Sequence, residues 1–207
     1  MGSSKMNTSR DITISLDHLT QMSPSDQSGI FELRKNVFSD RLGWAVQCVD
    51  GLERDEFDSL PENVYVYGKA NDEVLACVRL MPTTGKYMLR DVFPELLGGQ
   101  PAPCSADIWE LSRLAIATNK AMTNTASFGP VAKALLVEMA HFAKKHRISQ
   151  YIAVTTYAVE RLFRSQGVTL QRLGRPLQMG VVVAVACVVH MDQNTYRVVG
   201  VEPPPMH

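Results

Sequence analysis

Two charged side chains stand where a buried β-strand should be apolar. The segment Trp109-Glu110-Leu111-Ser112-Arg113-Leu114-Ala115 has the composition of an internal strand, yet carries a carboxylate and a guanidinium three residues apart. Charged groups are almost never fully buried unless paired, so Glu110 and Arg113 must meet each other or a ligand. Arg79 repeats the pattern inside Leu75-Ala76-Cys77-Val78-Arg79-Leu80-Met81. Together they predict a charged pocket in the middle of a sheet, suited to ion pairing or to holding a charged ligand. A second set lies upstream: Arg34 and Phe38, spaced to share one helix face, then Trp44, then Glu53-x-Asp55-x-x-Asp58. In a regular strand Glu110 and Arg113 would point to opposite faces, because side chains alternate. Their pairing therefore predicts a bulge or strand splay near residues 110–113, which would also open a cleft.

Hydrophobic periodicity supplies the elements that must position these groups. Asp11 to Leu16 alternates weakly as a first strand. Ser25 or Ser28 can cap a helix that runs through Phe31 and Phe38 to about Arg41 and ends at Gly43. Residues 44–62 are irregular and acidic. Val64–Gly68 and Val74–Met81 read as strands joined by the turn signal Asn71-Asp72. After Pro82–Gly85 and the Gly98–Pro103 loop, Asp107–Ile116 is a strand. A helix capped by Ser127, with Pro130 in its first turn, follows. It sets Phe128, Val131, Leu135, Met139 and Phe142 on one side, with Lys133, Glu138, His141 and Lys145 opposite. Tyr151–Thr155 is a strand, Tyr157–Gln166 a helix stopped by Gly167, and Val181–Met191 a long final strand. The order β-α-β-β-β-α-β-α-β predicts one α/β domain, a three-layer α/β/α sandwich with a mixed central sheet. The domain is expected over residues 10–200, between a disordered or vector-derived tail at 1–9 and a frayed one at 201–207.

Bulk properties narrow the function. A chain of 207 residues, 45% hydrophobic and 20% charged, is that of an ordinary soluble domain with a sizeable core. The four cysteines show no CxxC spacing and read as reduced packing residues in a reducing compartment. The five histidines form no HExxH-like cluster, so no metal site is expected. The start of the chain is polar, and the nine-residue apolar run Val181–Val189 is too short to span a bilayer. A cytoplasmic protein without stable membrane association is predicted. The zero net charge hides an asymmetry: residues 1–110 carry 10 Lys/Arg against 17 Asp/Glu, residues 111–207 carry 11 against 4. This is either a set of solvated faces or a basic half that docks an acidic macromolecule. Nucleic acid is not that partner, because the basic residues are dispersed and lack interleaved aromatics.

Arg34-x-x-x-Phe38, Trp44, Glu53-x-Asp55-x-x-Asp58, Arg79-Leu-Met-Pro-Thr, Met88-Leu-x-Asp-Val-Phe93-Pro and Trp109-Glu110-Leu-Ser-Arg113 occur in that order. The set resembles the acyl-homoserine-lactone synthases, the autoinducer synthases of quorum sensing, over roughly residues 10–190. The resemblance implies an N-acetyltransferase-like fold and two substrates, S-adenosylmethionine and an acyl group on acyl carrier protein. No cofactor is implied, because the nucleotide is consumed. The product would be an N-acyl-L-homoserine lactone, with methylthioadenosine released.

For that substrate Arg34 and Arg113 are candidates to hold the carboxylate bidentately. Asp55 and Asp58 suit the ammonium and sulfonium, while Phe38, Trp44 and Phe93 offer aromatic faces. Glu110 is the candidate base for the amine, directly or through a water, and Arg79 and Arg113 complete the catalytic group, Arg79 orienting Glu110. Val131, Leu135, Met139, Ala153, Val154, Thr155, Phe163 and the Val181–Val185 strand are candidates for the acyl slot. In this family a threonine at the place Ala153 occupies, before Val154-Thr155-Thr156, accompanies 3-oxo chains. Ala153 therefore implies an unsubstituted, medium-length chain. Acyl carrier proteins are acidic, so Lys133, Lys144, Lys145, Arg147, Arg161 and Arg164 are the expected docking residues.

Two other functions compete. An acetyl-coenzyme A-dependent N-acetyltransferase would need a Gly-rich pyrophosphate loop, and Thr118–Phe128 contains no glycine. A non-catalytic module that binds a carrier protein or nucleotide would not need a base beside an amine pocket.

Overall fold

The computed structural model describes residues 12–117 and 129–205. Strand β1 (Thr13–Asp17) leads into α1 (Pro24–Arg34), which continues as a π-helical stretch over Lys35–Arg41. Ser23 caps α1 by accepting the Asp26 N–H at 3.1 Å. The cap thus lies upstream of Ser25 and Ser28, because Pro24 takes the first-turn position that proline tolerates. A hairpin of β2 (Cys48–Val49) and β3 (Leu52–Glu53) breaks the stretch expected to be irregular, and β4 (Val64–Ala70), β5 (Glu73–Pro82) and the short α2 (Met88–Asp91) follow. Next come β6 (Ile108–Ile116), α3 (Pro130–His146), β7 (Gln150–Thr156) and α4 (Tyr157–Ser165). The chain closes with β8 (Leu170–Arg172), β9 (Leu177–Met179), β10 (Val182–His190) and α5 (Gln193–Val199).

Among the described residues the main sheet runs β1-β4-β5-β6-β7-β10-β8, with β9 also paired to β10. All its pairings are antiparallel except β6 with β7, so the sheet is mixed as expected. Period-two alternation sorts the layers. Val64, Val66, Ala76, Val78 and Leu80 pack with α3 and α5, whereas Tyr65, Tyr67 and Cys77 pack with α1. Helices therefore cover both faces, giving the three-layer sandwich.

Several local expectations shift. Gly129 precedes α3 at the cap position, while Ser127, Phe128, Asp11 and the tail at 1–9 lie outside the described residues. Helix α5 and strands β8 and β9 were not in the expected order. For α5 the signals were present: Asp192 accepts the Thr195 N–H at 2.7 Å, and Gly200 closes the helix at φ 81°. No helix among the described residues is long and apolar enough to cross a membrane.

Two irregularities sit at the centre of the sheet. Cys77 pairs with Ala115 and Arg79 with Ser112, so Val78 alone opposes both Arg113 and Leu114. This is a β-bulge, and Arg113 occupies it in the left-handed region at φ 53°. Such backbone costs roughly 1–3 kcal/mol and persists where surrounding structure holds it. Parallel pairing of β6 with β7 also stops, at Leu111 and Ala153, beyond which the strands part. The bulge and the splay expected near residues 110–113 are both present.

Candidate active site

Three arginines and three carboxylates from four parts of the chain form one buried network. Arg34, on the last turn of α1, donates Nη1 and Nη2 to Asp58 at 2.8 and 3.0 Å and Nε to Glu53. Arg79, on β5, donates Nη1 and Nη2 to Asp55 at 2.6 and 3.0 Å, Nη1 to Asp58 at 2.5 Å and Nε to Ser112 Oγ at 3.0 Å. Arg113 reaches Glu53 Oε1 at 3.0 Å and Asp55 Oδ2 at 2.9 Å. The Tyr65 hydroxyl donates to Asp58 at 2.7 Å. The acids are presented locally: β3 carries Glu53, and Asp58 accepts the Asp55 N–H at 2.9 Å to close the turn after it. Burial raises the Asp58 carboxyl, but Arg34 and Arg79 outweigh it and hold the group well below the usual carboxylate range.

The bulge decides what β6 offers. It turns Arg113 onto the same face as Glu110, where its guanidinium lies 5.5 Å from the Phe38 ring centroid. The two residues nevertheless do not pair. Glu110 instead accepts the Met88 and Leu89 N–H groups, both at 2.7 Å, at the start of α2. The reason is geometric: Glu53 and Asp55 already hold Arg113, and the unpaired N–H groups of a helix start are ready donors to a carboxylate. Burial pushes the Glu110 carboxyl up to about 7, against those amides and then Arg79 and Arg113, which pull it down. Met88 joins the two halves, since its sulfur also receives Nη2 of Arg79 at 3.2 Å and Nη1 of Arg113 at 3.3 Å.

Beside the network a cavity of about 190 Å³ occupies the opening between β6 and β7. Glu110 and Arg113 form one wall, Phe38, Trp44 and Phe93 another, and Ala153, Val154 and Thr155 a third, with Phe163 beyond. Phe38 and Trp44 stack at 5.3 Å between centroids, 25° from parallel.

Not every candidate reaches this cavity. Arg34 is fully buried with its donors committed to Glu53 and Asp58, so its position offers no clamp for a ligand carboxylate; Arg113 lines the cavity instead. Asp58 lies behind the wall with its oxygens occupied by Arg34, Arg79, Tyr65 and the Asp55 amide. Asp55 sits between Arg79 and Arg113 and is 14% exposed. Val131 and Leu135 are core residues beneath β4 and β5, not slot residues, because α3 crosses those strands. Met139 lines a second, smaller void, and the far end of β10, at Cys187 and Val189, replaces Val181–Val185 as the cavity wall.

The basic residues divide likewise. Thr156, Val159 and Glu160 at the start of α4 border the cavity, and Arg161 and Arg164 lie exposed on the same helix, Arg164 held by Glu160 at 3.0 Å. Lys133 is exposed in the first turn of α3. Lys144, Lys145 and Arg147 close α3 beside the start of β7, at the opposite end of the sheet from the splay. Glu53, Tyr65, Ser112 and Met88 are site residues that the spacing alone does not single out, although Glu53, Met88 and Ser112 stand inside the motifs.

A buried, ionisable carboxylate, a cationic wall and an apolar slot thus meet at a split in a mixed sheet, an arrangement suited to acyl transfer. The family model described as autoinducer synthase matches residues 18–199. An acyl-homoserine-lactone synthase of Aeromonas salmonicida is 36% identical over 176 residues, covering 84% of each chain. The crystal structure of the AHL synthase LasI superposes with a TM-score of 0.86 at 29% identity, over 96% of this chain and 99% of that one. TofI, crystallised with an inhibitor and MTA, superposes with a TM-score of 0.78 at 33% identity, over 92% and 97%. The chain belongs to the autoinducer synthase family, and its activity is that of an acyl-homoserine-lactone synthase.

Proposed function

We propose that the protein makes an N-acyl-L-homoserine lactone with an unsubstituted, medium-length chain. Its substrates are S-adenosylmethionine and an acyl thioester on acyl carrier protein, and methylthioadenosine is released. The observation that carries this is one cavity bounded by Glu110 and Arg113 on one strand and Ala153–Thr155 on the other. Arg113, whose Nη1 meets only the soft Met88 sulfur among the described residues, turns that group to the methionyl carboxylate, and Phe38 and Trp44 take the adenosyl sulfonium against their faces. Glu110, directly or through a water, removes a proton from the α-amine, which attacks the thioester carbon. N–H groups on the parted edges of β6 and β7 stabilise the oxyanion. The C–S bond of the thioester breaks and the carrier thiolate leaves with the proton. The methionyl carboxylate then attacks the γ-carbon. The C–S bond of the sulfonium breaks, its electron pair staying on sulfur, so the leaving thioether is neutral and needs no acid. Buried Arg34, Asp58 and Arg79 fix the wall rather than touch substrate.

The acyl tail lies along Ala153, Val154 and Thr155, where Ala153 offers no hydroxyl to a 3-oxo oxygen. Carrier docking falls to Lys133, Arg161 and Arg164, at the open end of the sheet, with charge acting chiefly on encounter rate. Mass spectrometry of the lactones formed from plain and 3-oxo donors of equal length tests this. The plain donor should dominate on acyl carrier protein; preference for the 3-oxo donor, or equal use of coenzyme A thioesters, would overturn those assignments. TofI's capture with MTA supports the released thioether.

A pH dependence follows from the base. The protonated carboxyl of Glu110 cannot accept the amine proton, so kcat/KM for the acyl donor should rise with pH and level off above about 7. A profile flat from pH 5.5 to 8 would count against Glu110.

A further inference from the structure

The cavity passes through the sheet rather than lying on it. Glu110 faces the α2 side, whereas Leu111, Cys187 and Val189 belong to the core on the α3 side. A thioester carbonyl placed at Glu110 therefore sends its tail towards α3 and α5. Behind the far wall lies a second void of about 30 Å³, lined by Leu136, Met139, Val168, Thr195 and Val199. Leu111, Phe163 and Val189 border both spaces. They form a partition, and Phe163, from the last turns of α4, is its bulkiest member. The second void is almost wholly apolar in character.

We propose that Phe163 sets acyl-chain length, by closing the tail's path short of an apolar void between α3 and α5. This rests on the synthase assignment above and adds the group that measures the donor. A chain that fits the first cavity ends against the ring; a longer one must displace it, and close-packed interiors resist such displacement. Shortening the side chain joins the two spaces and lets additional methylenes leave water. Each buried methylene contributes about 0.8 kcal/mol, roughly a fourfold effect, so two favour the longer donor by about fifteenfold.

The test is a competition assay with saturated C4 to C12 thioesters on acyl carrier protein, lactones read by mass spectrometry. Phe163→Ala, and the milder Phe163→Leu should the first fold poorly, are expected to move the kcat/KM optimum by at least two carbons. The ratio of longer to shorter product should change about fifteenfold. Val199→Ala enlarges the void behind an intact partition and should leave the optimum where it is in the unaltered protein. An unmoved optimum in Phe163 variants that still make lactone overturns the proposal. So does an equal shift in Val199→Ala, since the spaces would then already be continuous. If the unaltered protein makes no lactone from any donor, the synthase assignment itself fails, and the proposal with it.

Discussion

Glu110→Gln should lower lactone synthesis by about 10²–10⁴-fold, the usual contribution of a positioned base, while S-adenosylmethionine still binds. The amide cannot accept the amine proton, but it keeps the side chain's shape against α2. Gln has only one acceptor oxygen for the Met88 and Leu89 N–H groups, so one amide is left facing an NH₂. Leaving it unsatisfied costs roughly 1–3 kcal/mol, visible in thermal unfolding. Turnover, nucleotide affinity by calorimetry and melting temperature separate the two effects. A proton-transfer role predicts a loss in kcat that remains at saturating substrate, with the rise in rate towards pH 7 removed. Unchanged turnover would reject Glu110 as the base.

Asp58→Ala should be the most destabilising single change in the site, by about 3–5 kcal/mol, because it strips the counter-charge from two buried guanidiniums. Arg34 and Arg79 are both fully buried, and Asp58 bridges them. That loss is a large share of the 5–15 kcal/mol typical of a domain, so urea unfolding should show a much earlier midpoint. The same carboxylate makes stability depend on acid. Its folded-state affinity for protons is depressed by Arg34 and Arg79, so its contribution is complete above the ordinary carboxylate range, near pH 4. It is lost as pH falls through the lower folded value. Asp58→Ala should therefore unfold with a weaker dependence on acid than the unaltered protein. An unfolding midpoint within experimental scatter of the parent would show that the network adds nothing to the fold.

How far the sequence disclosed these features depended on the kind of signal. Alternation in Val64-Tyr65-Val66-Tyr67 and the 3.6-residue stripe of α3 are local, and both elements formed where periodicity placed them. The bulge was legible because Glu110 and Arg113 could not share a face without it. Their partners were not legible, since nothing in the spacing says that α2 would present two amides to Glu110, or that β3 would bring Glu53 to Arg113. Arg34 and Arg113 look equivalent as sequence; only tertiary contacts commit Arg34 to Asp58 and leave Arg113 at the cavity. Val131 and Leu135 failed as slot residues for a related reason. An apolar helix face says that it is buried, not which side of a sheet opening it covers.

Quantifying methylthioadenosine with each substrate alone and with both together is the most direct check on the whole mechanism. Release is expected only when S-adenosylmethionine and the acyl thioester are both present, in equal amount to the lactone formed. Equal release without the thioester, or acylated product without any methylthioadenosine, would contradict it.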